Sequence, residues 1–130
     1  MFNTITVIGC GLIGSSILRA INNNKLANQI KTFDKSKSVN TYLSKNFSFK
    51  VCDSVSESVK DSDLVIISVP LSSYKEVLSA IKSNLKKDVI LTDTGSVKKL
   101  INEKVLNLKL KDINWISSHP IAGTEYSGPE

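Results

Sequence analysis

The sequence predicts an α/β fold, a doubly wound parallel sheet, and three observations predict it. A short apolar strand at residues 4–8 runs directly into Gly9-Cys10-Gly11-Leu12-Ile13-Gly14. Helical and strand-like periodicities then alternate along the rest of the chain. Finally, residues 64–69 (Leu-Val-Ile-Ile-Ser-Val) form the nearly continuous apolar run expected of a strand covered on both faces.

The elements follow in order. Leu12, Ile13, Ile17, Leu18 and Ile21 fall at helical spacing, and Asn22-Asn23-Asn24 ends that pattern. A second strand at residues 29–33 finishes at Asp34, twenty positions beyond Gly14. Residues 38–47 read as a helix with Val39, Tyr42 and Leu43 inward, and residues 47–51 as a short third strand. Pro70 ends the fourth strand. Ser73-Tyr74-Lys75-Glu76 has the pattern of a capping box, opening a helix whose inner face is Tyr74, Val77, Leu78, Ile81 and Leu85. Residues 89–92 make strand five. After Asp93-Thr94-Gly95-Ser96 the period is helical again, with Val97, Leu100, Ile101, Val105 and Leu108 inward, and residues 113–116 give strand six. Short parallel strands joined by right-handed crossovers predict a Rossmann-type sheet of about six strands in the order 3-2-1-4-5-6.

Strand, glycine turn, helix, second strand and terminal acid together form a dinucleotide fingerprint. Gly9 permits the tight turn, Gly11 lets backbone approach a pyrophosphate, and Gly14 lets the helix pack on the strand. The phosphates would sit on the helix N-terminus, at the free amides of residues such as Leu12 and Ile13, where the macrodipole favours anions. Asp34 would accept from both ribose hydroxyls and repel a 2′-phosphate, which favours NAD over NADP; Lys35 and Lys37 stand close by and oppose that preference.

Composition bounds the rest. The 130 residues suit one domain, and no apolar run approaches the roughly 20 residues needed to span a bilayer. No basic region precedes the first apolar run and the glycines interrupt it, so it does not read as a signal peptide. The expectation is a cytoplasmic chain with no membrane partner. Cys10 and Cys52 make no disulfide framework and are expected as free thiols. Net charge is +5, but the lysines are dispersed and Arg19 is the only arginine, so nucleic-acid binding is not expected. One histidine and two separated cysteines leave no metal site.

In a doubly wound sheet ligands bind beyond the carboxyl ends of the strands, at the switch point between strands one and four. Four such ends carry suggestive residues: the glycine turn, Ser68-Val69-Pro70, Asp93-Thr94-Gly95-Ser96 and Ser118-His119-Pro120. The first two should hold the dinucleotide and the last two whatever meets its nicotinamide. His119 is the only histidine and the side chain best suited to exchange protons near neutrality. A loop of this kind ordinarily leads into more protein, so the chain is expected to be part of a longer enzyme.

Asp93-Thr94-Gly95-Ser96-Val97-Lys98 followed by His119-Pro120-Ile121-Ala122-Gly123-Thr124-Glu125 resembles the prephenate/arogenate (cyclohexadienyl) dehydrogenases of tyrosine biosynthesis. The resemblance covers residues 1–130 as an NAD-binding domain and lacks that family's helical C-terminal domain, which provides the dimer interface and the cationic groups for substrate carboxylates. It implies NAD-dependent oxidative decarboxylation of prephenate to 4-hydroxyphenylpyruvate, or of arogenate to tyrosine, by a homodimeric parent. It also implies that Ser96 matches an active-site serine, that Gly123 and Thr124 lie against the substrate, and that Glu125 contributes an ion pair at the pocket mouth.

The acid–base logic stands independently. A secondary alcohol gives up hydride readily only as its hydroxyl proton is removed, and His119 is the best candidate acceptor. Loss of carbon dioxide then yields an aromatic phenol, so the protein mainly positions and polarises. Ser96 could orient the imidazole or the reacting hydroxyl, or simply cap a helix. Trp115 and Tyr126 read as packing residues. Two other readings share the fingerprint. A hydroxyacid- or ketopantoate-type reductase has no reason to carry both terminal motifs. A non-catalytic dinucleotide-binding module is what this chain would be if one side of the substrate pocket is missing.

Overall fold

The computed structural model describes residues 1–110 and 112–120. The chain runs β1 (Phe2–Ile8), α1 (Leu12–Asn23), β2 (Ala27–Phe33), α2 (Lys37–Asn46), β3 (Lys50–Val51), α3 (Val55–Ser58), β4 (Leu64–Ile67), a 3-10 turn (Leu71–Ser73), α4 (Tyr74–Ile81), β5 (Val89–Asp93), α5 (Lys98–Asn107) and β6 (Ile113–Ile116). All neighbouring strands are parallel, in the order β3-β2-β1-β4-β5-β6. This is the Rossmann-type topology expected from the crossover pattern.

Strand alternation divides the apolar side chains between two faces. On β1, Ile5 and Val7 join Leu18 and Ile21 of α1 and Leu43 of α2, while Ile8 belongs to the opposite cluster with Tyr74, Leu78 and Ile81 of α4 and Ile101 and Val105 of α5. β4 sits beside β1 in register, Val7 against Ile66 and Ile8 against Ile67, so its residues divide in the same way. A central strand covered on both faces has no solvated side, which is why its sequence reads as a continuous apolar run. Full burial of each such side chain contributes about 1.5–3 kcal/mol.

Several boundaries differ from the sequence reading. β4 stops at Ile67: Ser68 N still donates to Ile8 O (2.7 Å), but Pro70 has no N–H for the ladder and the chain turns there into the 3-10 segment. Ser73 does not cap α4. Its φ/ψ of −93°/−8° is already helical, and a capping hydroxyl needs extended backbone to reach back to the first-turn amides. The helix α3 lies outside the elements the periodicity predicts, although Ser54 and Glu57 carry the same S-x-x-E signal. Ser54 is extended and its hydroxyl accepts from Glu57 N at 3.2 Å. Val97 and Leu100 are 42% and 45% exposed rather than inward. α5 begins only at Lys98, and the stripe set by Ile101 and Val105 turns Leu100 off the buried face.

Among the described residues, no helix is long and apolar enough to cross a membrane, and no group of three or more His, Cys, Asp or Glu side chains could hold a metal ion.

Candidate active site

The glycine turn is held by steric necessity. Gly9 adopts φ +90°, a conformation that side chains disfavour, and a Cβ there would lie 2.2 Å from Ser68 O. The helix α1 starts at Leu12 behind Gly11, with no side-chain cap, so its first-turn amides keep their donor capacity. A Cβ built on Gly11 meets nothing within 4 Å, whereas the turn is closely packed at Gly9 and Gly14. Gly11, Leu12 and Ile13 line a cleft of about 1170 Å³. A bare helix N-terminus beside open backbone on a large cleft fits the pyrophosphate of a dinucleotide.

Asp34 lies at the end of β2 on the same cleft. Its Oδ2 accepts from Cys10 N (2.7 Å) and its Oδ1 from Ser36 N (2.8 Å). Asn40 clamps its backbone, accepting from Asp34 N at 3.0 Å and donating to Asp34 O at 2.7 Å. The carboxylate is therefore fixed by one bond to each oxygen, and each oxygen retains a lone pair for a ribose hydroxyl. Cys10 is buried behind the turn, its Sγ 2.8 Å from Thr32 Oγ1, and burial pushes its thiol up to about 12. Cys10 and Cys52 are both free.

Ser68, Val69 and Pro70 line the cleft beside the turn, Ser68 and Val69 packing directly against Gly9. Thr94 joins this wall to the next loop: its N donates to Ile67 O (3.0 Å) and its hydroxyl to Ser68 Oγ (3.0 Å). Ser96, His119 and Pro120 line the same cleft, so residues from the ends of β5 and β6 meet the nucleotide side as the topology requires. Ser96 does not cap α5; that position is Val97, with no side-chain cap. Trp115 packs against the α4/α5 core and donates from Nε1 to Asn102 Oδ1 at 3.1 Å. Gly123, Thr124, Glu125 and Tyr126 lie outside the described residues.

Sequence reasoning passed over two groups. Asn40 carries only the signal of an amide six residues after the acid. Asp93 stands in the Asp93-Thr94-Gly95-Ser96 motif as an acid closing an apolar strand, and that position is its only sequence signal. It is fully buried, ion-paired with Lys98 (Nζ to Oδ2, 2.5 Å) and bonded to Gly95 N (2.9 Å).

The family described as prephenate dehydrogenase, nucleotide-binding domain, matches residues 17–130. The chain is 39% identical over 131 residues to a cyclohexadienyl dehydrogenase of Zymomonas mobilis, covering 100% of this chain and 44% of that protein. It is 34% identical over 132 residues to a prephenate dehydrogenase of Lactococcus lactis, covering 95% and 35% respectively. Among solved structures it is similar to the prephenate dehydrogenase of A. aeolicus in complex with hydroxyphenyl propionate and NAD+. That match has a TM-score of 0.82 and 25% identity, and covers 99% of this chain and 45% of the other. The chain thus spans less than half the length of these relatives. With the family model matching residues 17–130, the chain belongs to the prephenate dehydrogenase nucleotide-binding domain family.

Proposed function

We propose that residues 1–130 are the NAD-binding half of a dehydrogenase that oxidatively decarboxylates prephenate or arogenate. One observation carries this reading: Ser96 and His119, from separate strand ends, share a single cleft with the glycine turn and Asp34. Gly9, Gly11, Leu12, Ile13 and Gly14 receive the pyrophosphate, Asp34 the adenosine ribose, and Ser68, Val69 and Pro70 the opposite side of the cofactor. NAD, when bound, supplies the hydride acceptor for the ring carbinol carbon. His119 takes the proton from that carbon's hydroxyl, and the Ser96 hydroxyl orients the ring or the reacting oxygen. Aromatisation drives departure of carbon dioxide, so these residues need only hold and polarise. Gly123, Thr124 and Glu125 complete the substrate side. In this reading the parent is a cytoplasmic homodimer joined through a second domain, with a small-molecule substrate and neither nucleic-acid nor membrane partners.

The test is calorimetric titration of the 130-residue chain with NAD and NADP, with NADH formation from prephenate and arogenate measured on the same sample. NAD binding tighter than NADP supports the cofactor assignment. Turnover would identify the substrate and show that the pocket closes without a second domain. Binding of neither cofactor would overturn the reading.

A further inference from the structure

Asp93 is 0% exposed at the carboxyl end of β5 and is not part of the cleft lining, yet its polar atoms are engaged by the two loops that carry Ser96 and His119. Its Oδ2 accepts from Gly95 N (2.9 Å), the residue before Ser96, and from Lys98 Nζ (2.5 Å) at the start of α5. Its Oδ1 accepts from Ser118 N (3.3 Å), the residue before His119, and its backbone carbonyl accepts from the Ser118 hydroxyl. Tyr74 of α4 donates to the same Oδ2 at 3.4 Å; burial, with the Asp93 carboxylate beside it, holds that phenol protonated well above its usual range. The serine loop is wrapped closely on the carboxylate, since a Cβ on Gly95 would meet Ile101 Cδ1 at 2.2 Å and Asp93 Oδ2 at 3.1 Å.

A buried carboxylate is costly unless it is both paired and hydrogen-bonded, and here its partners come from both sides of the site. Ser96 and His119 are themselves exposed, so their spacing depends on how their loops are anchored. We infer that Asp93 is the positioning residue for the Ser96–His119 pair: one buried carboxylate fastens the serine loop and the histidine loop to each other. This rests on the catalytic reading proposed above. Asp93 touches neither cofactor nor substrate; it acts through the two loops, as groups behind a catalytic constellation do when they lock its geometry.

His119 is the only histidine, so its ring gives a single set of nuclear magnetic resonance signals. The experiment compares the 130-residue chain with its Asp93→Asn variant, which keeps the side-chain shape but exchanges one acceptor oxygen for a donor. The expected result is NAD affinity within about twofold of the parent, since the glycine turn is untouched. The His119 ring signals should shift, and amide protection at Gly95 and Ser118 should fall by about tenfold or more. Loss of stability alone would lower the melting temperature without moving the His119 signals well below it. Unmoved His119, Gly95 and Ser118 signals would overturn the inference. Should Asp93→Asn fail to fold, combining it with Lys98→Met removes both charges, leaves neither unpaired, and is read by the same signals. If the parent chain binds no NAD, the catalytic reading fails, and the His119 signals still decide whether Asp93 joins the loops.

Discussion

A Cβ on Gly14 would stand 1.9 Å from the carbonyl oxygen of Gly9, so the first helix and the glycine turn behind the first strand touch backbone to backbone. Gly14→Ala must push α1 off that turn, an overpacking that costs about 1–3 kcal/mol and lowers the melting temperature by roughly 4–12 °C. Gly11→Ala is the contrasting case, because its Cβ meets nothing. It should leave the melting temperature unchanged and weaken NAD binding by obstructing the phosphate approach. Equal effects of the two variants on stability would show that the turn is not packed in this way.

Asp34→Ala removes the proposed ribose acceptor and, with it, the proposed repulsion of a 2′-phosphate. Hydrogen bonds to a charged group are worth about 1.5–3 kcal/mol, so NAD should bind roughly 10- to 100-fold more weakly while NADP loses less. Calorimetry with both cofactors measures the ratio. An unaltered preference would mean that the carboxylate serves only Cys10 N and Ser36 N.

His119→Asn, made in the proposed two-domain parent, should reduce turnover about 100- to 10,000-fold, the usual range for loss of a general base, with NAD affinity preserved. Steady-state kinetics alongside NAD titration separate the two. Normal turnover would exclude His119 as the base.

Burial moves the Cys10 thiol from 9.0 to about 12. Below the unfolded value both states are protonated; above it the unfolded chain ionises while the native thiol does not. Stability should therefore fall as pH rises from about 9 towards 12, with a slope of up to about 1.4 kcal/mol per pH unit from this residue. Denaturant unfolding across that range should show a shallower slope in Cys10→Ala. Rapid reaction of the native Cys10 thiol with alkylating reagents at neutral pH would contradict its burial.

At the opposite end of the sheet, the Lys86 ammonium bonded to Asp63, together with Thr4 N and Asn3 N at 2.9 Å each, holds the Asp63 carboxyl below its usual 3.8. A lowered native value stabilises the fold above the unfolded value, and that contribution is lost as pH falls through the native one. Asp63→Asn should thus melt lower than the parent at neutral pH, with the gap closing under acid. A gap independent of pH would mean that the charge contributes nothing.

Much of the fold was legible because its signals are local. The period of Ile17, Leu18 and Ile21, the apolar run ending at Ile67 and the spacing of Gly9, Gly11 and Gly14 each state a backbone geometry directly. Strand order followed from handedness, since a right-handed crossover leaves few ways to lay parallel strands side by side. The cleft followed from strand order, which brought Asp34, Ser68, Ser96 and His119 to one edge.

Other features were decided by three-dimensional context. Ser54 and Ser73 head identical S-x-x-E patterns, but only Ser54 caps, because the 3-10 turn after Pro70 has already committed Ser73 to helical backbone. Leu100 and Ile101 are adjacent and equally apolar, but only Ile101 meets the core. Asp93 reads in the chain as one more acid at a strand end. Its partners Tyr74, Gly95, Lys98 and Ser118 are brought to it by two helices and two loops. Amino-acid order specifies periodicity and turn chemistry, which act over a few residues; burial and pairing of a polar group depend on which distant segments the sheet sets side by side.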